Sequence, residues 1–507
     1  MLNKYLDKEI YRVLLFTIIV LVISYFANYF DILFFRPQSI HFIRQTDSLS
    51  FVANYFQNGM NFFSPQTFNL TPIDGKAACE FPILYYITAI LYFIFGEHEF
   101  ILRLINISIV FTGFYYVTKL NYLFLQNWIY SFLIAFLVMS SGVILYYTNN
   151  FLPDTASLGF SLIGLYHFAN YTKNAKNNSL IFSFIILTLA GLLKATYMIF
   201  PIAIIGLFFI ELIGVKISNK KIFNNIKLLI ILSLSSFIIV FSWYYYAISY
   251  NKINGDTYFL THTAPIWELS KINIYIILDL LSNYWKNDYY YPTTLHTIYI
   301  FIILSLIFIR KSNKLLFIFS IILLIGSLSY LILFFEKFEN HDYYGLLFIP
   351  TLLFIVLNSF KIIQDLSNNK WAKTILIIGL LVLNILSIKY ATYRSSRRYV
   401  QIYNDNYIFE NFDGIKPQID SLSIDNNNTF IVVGDFTRNG SLYYMNKRGW
   451  TIKDTSKISM LKLELALKGK PNYLITTEDF YLENNKIKTI KKDLVLTYNN
   501  MSIFKLN

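Results

Sequence analysis

The stretch Val13–Phe35, VLLFTIIVLVISYFANYFDILFF, decides the fold class of this chain. It exceeds the roughly 20 residues that an apolar helix needs to cross a bilayer, and Lys4, Lys8 and Arg12 precede it. The core of a signal peptide is shorter, and no cleavage site of small residues follows. We therefore expect an uncleaved membrane-spanning helix here.

The composition indicates that this helix is one of many. Of the 507 residues, 55% are hydrophobic and only 14% are charged, whereas a soluble domain carries about 25% charged residues. A soluble enzyme, a disordered chain and a disulfide-knit secreted domain are therefore excluded, and the single cysteine, Cys79, permits no internal disulfide and no cysteine metal site. We interpret the chain as a polytopic α-helical membrane protein with about eleven spans. The spans expected after the first are 100–118, 129–147, 154–172, 179–193, 197–214, 228–248, 293–309, 315–335, 343–360 and 374–390.

The positive charges predict the sidedness of these spans. A net charge of +13 is typical of nucleic-acid-binding proteins among soluble chains, but membrane proteins concentrate Lys and Arg in cytoplasmic loops. With the N-terminus in the cytoplasm, every cytoplasmic segment is basic, and only Arg394, Arg397 and Arg398, after the last span, disagree. The basic residues between spans that support this orientation include Lys216, Lys220, Lys221, Arg310, Lys311 and Lys314.

Three segments are expected on the outer face of a plasma membrane. Phe81–Phe95 is too short to span, so we interpret it as a helix in the outer interface within a first outer loop, 36–99. A second large outer loop covers 249–292. From about residue 390 the apolar runs shorten to strand length, which separates a transmembrane domain, 1–390, from a small extracytoplasmic α/β domain, 391–507.

Short patterns within this last domain predict its strands. Thr429–Val433 is a β-branched run followed by the turn Gly434-Asp435, and Asn472–Thr477 has the same character. Leu494–Tyr498 and Met501–Leu506 flank Asn499-Asn500, which indicates a terminal hairpin.

The expected spans are nearly free of ionisable residues. Asp31, Arg103, Asp154 and Lys194 lie at or near outer ends, whereas Glu211 is near an inner end. Ion-coupled transporters place such residues in the middle of their spans, so the pattern favours an enzyme that works at the outer membrane surface.

The first outer loop holds the densest polar group. Asp47 stands ahead of an amphipathic stretch, 48–57, so Thr46 or Asp47 has a helix cap as its alternative role. Glu80, before Phe81-Pro82, and Asp154, after Pro153, have the alternative of supporting a helix start. The residues of this group are Arg36, His41, Arg44 and Asp47, within twelve positions, followed by Asp74, Lys76 and Glu80.

Several motifs resemble the GT-C glycosyltransferases, in the branch that contains protein O-mannosyltransferases, the aminoarabinose transferase of lipid A and related bacterial lipopolysaccharide sugar transferases. The likeness covers most of the chain. The motifs are RQTD at 44–47, EFPILYY at 80–86, FG at 95–96, RL at 103–104, the stretch 149–154, GLLK at 191–194, HDYY at 341–344 and YYMNKRGW at 443–450.

The resemblance implies the transfer of a sugar from a polyprenyl-phosphate carrier to a lipid, glycan or protein acceptor on the extracytoplasmic side, usually with inversion. It implies a role in cell-envelope or lipopolysaccharide biosynthesis, with no nucleic-acid partner. The family's acids correspond to Asp47, Glu80 and Asp154, with Asp47 as the expected base. The aminoarabinose transferase has a lysine after the second acid where this chain has Phe81, and Lys76 is close enough in sequence to replace it.

A lipid phosphate also requires positive charge or a metal. The outer-surface candidates for this contact are Arg44, Lys76, Arg103, Lys194 and His341. Arg103 has the alternative of reaching toward lipid headgroups, and His341 beside Asp342 is either a metal ligand or a loop pair. No spacing diagnostic of a metal site is present, so a divalent metal stays an open alternative.

Other functional classes make different predictions. A lipid-linked glycan flippase or transporter predicts a polar cavity inside the spans, which the sequence does not favour. A polysaccharide polymerase or ligase predicts paired arginines in the large outer loop, and 249–292 contains none. An inactive relative that acts as a scaffold is a further alternative. The donor sugar and the acceptor stay open.

Overall fold

The chain is described from a computed structural model, which covers residues 5–260, 263–366, 369–400, 406–422, 424–425 and 427–506. It divides into two compact units that are each built from separate stretches of sequence. The first unit contains Met1–Leu33, Arg103–Tyr244 and His262–Arg397, and the second contains Phe34–Leu102, Tyr245–Thr261 and Arg398–Asn507. The expected boundary at residue 390 stays a prediction.

Helices dominate the described residues, and a small sheet lies near the C-terminus. The helices are α1 (Glu9–Phe26), α2 (Tyr29–Ile32), α3 (Phe42–Gln57), α4 (Ile83–Phe95), α5 (Phe100–Leu125), α6 (Trp128–Met139), α7 (Gly142–Thr148), α8 (Asp154–Asn174), α9 (Asn177–Leu193), α10 (Ile199–Leu212), α11 (Ile226–Asn254), α12 (Lys271–Asp279), α13 (Lys286–Tyr289), α14 (Pro292–Ile307), α15 (Lys314–Leu333), α16 (Ile349–Leu366), α17 (Lys370–Val400), α18 (Asn406–Phe412), α19 (Ile415–Ser421), α20 (Gly440–Met445), α21 (Lys457–Leu467) and α22 (Asn485–Ile490). The strands are β1 (Phe430–Val433), β2 (Gly449–Ile452), β3 (Tyr473–Thr476), β4 (Lys491–Tyr498) and β5 (Met501–Leu506).

The helices confirm a polytopic α-helical membrane protein. Seven helical segments of the described chain are long and apolar enough to cross a membrane, and nine are if each of two sharply bent helix pairs counts as one span. Helices also occupy the other two expected spans: α8 is less apolar, and α9 is among the shorter apolar helices. The helix expected within 81–95 is α4, which is likewise short.

Glycines allow two helices of the first unit to pack closely. A Cβ on Gly113 of α5 would lie 2.7 Å from the carbonyl oxygen of Gly159 in α8, and a Cβ on Gly159 would lie 2.7 Å from that of Ile109. Small residues let membrane helices approach at the backbone, where van der Waals contacts supply the attraction. The crossing holds α8, which carries Asp154 at its first position.

The second unit contains a mixed five-stranded sheet in the order β2-β1-β3-β5-β4. Strand β1 pairs parallel with β2 and β3, and β5 pairs antiparallel with β3 and β4. The strands predicted at 429–433 and 472–477 are present as β1 and β3, and the predicted hairpin is β4–β5. Strand β2 was not predicted.

The inner strands β1 and β3 are buried on both faces of the sheet, and one face packs on the predicted first outer loop. Phe430 and Val432 of β1 share a core with Phe42 and Ala53 of α3, while Ile431 lies in the core on the opposite face. Since successive side chains of a strand point to opposite faces, the run Phe430–Val433 serves both cores. Helix α3 is therefore an integral part of the second unit.

Candidate active site

Asp47 lies inside α3 and not at its start. The helix begins at Phe42, and its N-cap residue, His41, has a φ of 59°. Thr46 donates its hydroxyl hydrogen bonds to the carbonyl oxygens of Phe42 and Ile43, inside the helix. The helix-cap alternative for Thr46 and Asp47 is therefore wrong, because the helix starts before the amphipathic stretch that the sequence indicated.

The carboxylate of Asp47 is fully buried and has three polar partners within the second unit. The side-chain amide of Asn439 donates to Oδ1 at 2.7 Å, and the hydroxyl of Tyr258 donates to Oδ2 at 3.2 Å. The guanidinium of Arg44, one helical turn earlier, lies 3.7 Å from Oδ2. Both carboxylate oxygens thus receive polar contacts from elements distant in sequence.

This environment raises the pKa of Asp47 above its usual value. Burial is the largest cause, because removal from water penalises the charged form. Arg44 and the hydrogen bond from Asn439 oppose that effect, followed by Arg438 and Tyr258. A carboxylate whose pKa is closer to neutral is a stronger base than an exposed one.

Arg44 also connects Asp47 to the second predicted acid. Its guanidinium lies 3.4 Å from Oε2 of Glu80, while the hydroxyl of Tyr85 donates to Oε1 of Glu80. Helix α4 begins at Ile83 and has no side-chain cap, so Glu80 contacts the first turn of this helix through Tyr85 and does not cap it. The structure therefore brings Arg44, Asp47 and Glu80 into one charged group.

Asn439 is held in a defined orientation. Its side-chain oxygen accepts a hydrogen bond at 3.1 Å from the backbone N–H of Asn69 and lies 3.5 Å from the hydroxyl of Ser50. Because the oxygen is engaged there, the amide hydrogens face Asp47. Asn439 therefore acts toward Asp47 as a donor.

A buried ion pair lies beside Tyr258. The guanidinium of Arg438 is 2.5 Å from Oδ1 of Asp256, and their side chains are 9% and 1% exposed. The same guanidinium lies over the rings of Tyr258 and Phe259, 4.7 and 4.9 Å from their centres. This pair connects the start of the second outer loop to the turn that carries Asn439.

Lys76 lies in the same unit but has a different partner. Its ammonium group is 3.6 Å from Asp74, and both side chains are substantially exposed. An exposed pair of this kind contributes little to stability. A phosphate contact from Lys76 stays a prediction.

The remaining acid, Asp154, belongs to the first unit. It is the first residue of α8, which fits the helix-start alternative, and its Oδ1 also lies 2.8 Å from the ammonium of Lys194. That ammonium lies 4.4 Å from the ring centre of Tyr344, on which the ring of His341 stacks. Asp154, Lys194 and the predicted HDYY motif thus form a second polar group.

Arg103 of the first unit is fully buried. Its guanidinium donates to the backbone oxygen of Ile32 and lies 4.1 Å from the ring centre of Phe151. Protein atoms therefore cover it, and the alternative that it extends toward lipid headgroups is wrong. Its role as a phosphate ligand stays a prediction.

Metal ligands do not cluster in the part of the chain that the structure describes. No group of three or more His, Cys, Asp or Glu side chains there could hold a metal ion. Asp342, next to His341, instead accepts a hydrogen bond of 2.5 Å from the hydroxyl of Tyr147.

Sequence reasoning missed three neighbours of Asp47, namely Tyr258, Arg438 and Asn439. Tyr258 is one of several tyrosines in the second outer loop, so its type did not distinguish it. Asn439 and Arg438 lie shortly after the predicted turn Gly434-Asp435, and the sequence contains no local signal that connects them with Asp47.

Comparison with known proteins shows a shared fold. No family model and no curated protein sequence matches this chain. Its fold is similar to that of ArnT from Cupriavidus metallidurans, in the apo state and bound to undecaprenyl phosphate, with TM-scores of 0.63 over 97% of both chains. The sequences are 12% and 11% identical to this one.

Two further solved structures have a similar fold. An oligosaccharyltransferase from Archaeoglobus fulgidus, solved with an inhibitory peptide and a dolichol-phosphate, has a TM-score of 0.54 and 12% identity over 92% of this chain and 70% of its own. The mycobacterial arabinofuranosyltransferase AftD has a TM-score of 0.53 and 10% identity over 96% of this chain and 40% of its own. The chain therefore has the fold of GT-C membrane glycosyltransferases, as the sequence motifs predicted.

Proposed function

We propose that this protein is an integral-membrane glycosyltransferase that moves a sugar from a polyprenyl-phosphate carrier to an extracytoplasmic acceptor. The observation that carries the proposal is the buried carboxylate of Asp47, held by Asn439, Tyr258 and Arg44 outside the membrane-crossing helices. The shared fold supports the donor class, because structures with this fold bind undecaprenyl phosphate or a dolichol-phosphate.

Asp47 is the proposed general base. An acceptor hydroxyl is a weak nucleophile, and a positioned carboxylate that removes its proton contributes roughly 100- to 10,000-fold to the rate. The hydroxyl oxygen then forms a bond to C1 of the sugar from the face opposite the phosphate. The bond from C1 to the phosphate oxygen breaks, and its electron pair leaves with the polyprenyl phosphate, so the configuration at C1 inverts.

Arg44 is the proposed partner of the departing phosphate. Its side chain is 22% exposed and lies between Asp47 and Glu80, so it offers a fixed positive charge next to the base. A cation that is already oriented stabilises developing negative charge without reorganisation. Lys194 is a second candidate, since Asp154 and Tyr344 hold its ammonium in place.

Access to Asp47 requires a movement within the second unit. Its carboxylate has no exposed surface, whereas Tyr258, which donates to it, is 40% exposed. We infer that the side chain of Tyr258 moves away when the acceptor hydroxyl arrives and takes its place beside Oδ2. Tyr258 would then keep water from the base between turnovers.

The test is sugar transfer in proteoliposomes by the wild type, Asp47→Asn and Asp435→Asn. Radiolabelled polyprenyl-phosphate sugars would serve as donors, with lipid, glycan and protein fractions as acceptors. Asp435 is a matched control, because it is also a buried aspartate of the second unit, and within the described residues its carboxylate accepts hydrogen bonds from Thr437 and Ser441. We expect a loss of at least about 100-fold in Asp47→Asn and near wild-type transfer in folded Asp435→Asn. Equal transfer by all three proteins would refute Asp47 as the base.

A binding measurement separates the protein class from the role of this residue. Undecaprenyl phosphate should raise the thermal unfolding midpoint of both wild type and Asp47→Asn, because a ligand of the folded state stabilises it. If neither protein responds to this lipid, the proposal of a polyprenyl-phosphate donor is wrong.

A further inference from the structure

A basic pocket of about 820 Å³ lies in the first unit, and no residue of the proposed active site lines it. It is lined by the end of α8, the end of α10, the segment 214–221 and the start of α15. One carboxylate, that of Glu211, belongs to the lining. The lysines that line the pocket are Lys173, Lys216, Lys220, Lys221 and Lys314.

The segment that carries three of these lysines is held by hydrogen bonds and by buried side chains. The carboxylate of Glu211 accepts hydrogen bonds from the backbone N–H groups of Ile222 and Phe223, at 2.7 and 3.0 Å. Ile217 and Phe223 are buried, and Phe223 contacts the ring of Phe208 in α10. Buried anchors at both ends therefore hold the lysines at the rim of the cavity.

The charge of the pocket is not neutralised within the described residues. None of the five ammonium groups has a carboxylate partner within 4.0 Å there, while Glu211 is engaged with backbone donors. Concave surfaces lined by charge of one sign concentrate the electric field. The pocket therefore attracts an anion, and several lysines on one rim suit a group with several oxygens, such as a phosphate.

The position of the pocket favours a lipid as the source of that phosphate. Helix α8 has 21 residues, so its two ends are about 30 Å apart, with Asp154 at one end and Lys173 near the other. The pocket thus lies at the membrane face opposite the Asp154–Lys194 pair, on the side that the charge distribution predicts to be cytoplasmic. Basic pockets between the ends of membrane helices on that side suit anionic headgroups.

We propose that this pocket binds the phosphate of an anionic phospholipid headgroup in the cytoplasmic leaflet. The ammonium groups of Lys216, Lys220 and Lys221 contact the phosphate oxygens, and Ser218 offers a hydroxyl to the polar end of the headgroup. The site is independent of sugar transfer, because no residue of the proposed active site lines it.

The test is the thermal unfolding of the full-length protein in detergent micelles that contain phosphatidylglycerol, phosphatidylcholine or inorganic phosphate. The variants are Lys220→Gln/Lys221→Gln and the control Lys370→Gln/Lys373→Gln. The control lysines are exposed, lie on the same predicted membrane face and do not line the pocket. A conservative pair, Lys220→Arg/Lys221→Arg, keeps the charge and shows whether a lost response reflects charge or folding.

We expect phosphatidylglycerol, and not phosphatidylcholine, to raise the unfolding midpoint of the wild type, the control and the arginine pair. The glutamine pair at 220 and 221 should bind phosphatidylglycerol about 30-fold more weakly, since each lysine near an anionic headgroup contributes about fivefold. Equal weakening in the control would overturn the proposal in favour of a diffuse basic surface. Stabilisation by inorganic phosphate alone, lost in the glutamine pair, would overturn the assignment to a lipid.

Discussion

Asn439 donates its side-chain amide to the carboxylate of Asp47 over 2.7 Å, although 392 residues separate the two in the chain. One residue belongs to helix α3 and the other to the C-terminal segment that contains the sheet. Since both also contribute to one compact unit, the C-terminal segment supplies a direct partner of the proposed base and not only a support for the loops.

Removal of this donor should change the pH dependence of sugar transfer. The hydrogen bond from Asn439 lowers the pKa of Asp47, so Asn439→Ala should raise that pKa further. The acid limb of the kcat/KM profile should then move to higher pH, with a loss of about tenfold at neutral pH. Asn439→Asp should move the limb in the same direction, because a second carboxylate would face the first. An acid limb that stays in place in both variants would contradict the contact.

The raised pKa of Asp47 also predicts how stability depends on pH. The unfolded carboxyl group ionises near pH 4, and the folded one at a higher pH. Between these values the folded state binds more protons, so the free energy of unfolding that this group contributes falls as the pH rises through the window. Asp47→Asn removes this effect. In measurements from pH 4 to 8, the unfolding midpoint of the variant should therefore rise relative to that of the wild type as the pH increases. A difference that is constant with pH would refute this prediction.

The buried ion pair of Arg438 and Asp256 should affect the free energy of unfolding. Arg438→Met would leave Asp256 buried without its cation and should cost about 3 kcal/mol of unfolding free energy. The double variant Arg438→Met/Asp256→Leu should regain most of it, because no isolated charge remains. The exposed pair Lys361–Asp365 is the control, since Lys361→Met should change stability by less than about 0.5 kcal/mol. Denaturant titrations of all four proteins check these values, and equal losses in both single variants would contradict the argument.

The pair of Asp154 and Lys194 distinguishes phosphate binding from a role in proton transfer. If Lys194 contacts the lipid phosphate, Lys194→Gln should weaken the binding of undecaprenyl phosphate about tenfold. Asp154→Asn should strengthen that binding, because it releases the ammonium from its present carboxylate partner. Binding is measured by lipid titration and compared with transfer rates. If Asp154→Asn binds normally but loses transfer, Asp154 is a catalytic acid and this interpretation is wrong.

The local arrangement of the candidate site could be predicted in part. Arg44 and Asp47 are three residues apart, and residues at this spacing lie on one face of a helix, as the structure places them. The start of that helix was predicted incorrectly. The polar run Arg44–Asp47 interrupts the apolar pattern, so the first turn could not be recognised from the sequence. Its first turn is stabilised instead by the burial of Phe42 against the sheet.

The partners of Asp47 could not be predicted in the same way. Tyr258 lies 211 residues away from it in sequence, and nothing local distinguishes this tyrosine from its neighbours. Strand β2 was not predicted for a similar reason. It has only four residues and begins with Gly449, and its pairing with β1 depends on a parallel register between separate segments. Such contacts depend on how whole helices and strands pack, so they produce no periodic pattern in the sequence.

The sequence by itself indicated a multi-pass membrane protein and the approximate positions of its apolar helices, and the motifs that resemble GT-C glycosyltransferases indicated the fold and the candidate acids. The free-energy cost of burying polar groups in a bilayer depends on the residues of each segment alone, so membrane-spanning helices can be predicted from local hydropathy. Only the tertiary structure decided that Asp47 is buried and accepts hydrogen bonds from Tyr258 and Asn439. Those contacts form because α3 packs on the sheet, and the desolvation and hydrogen bonding of a carboxylate depend on which distant groups that packing brings near.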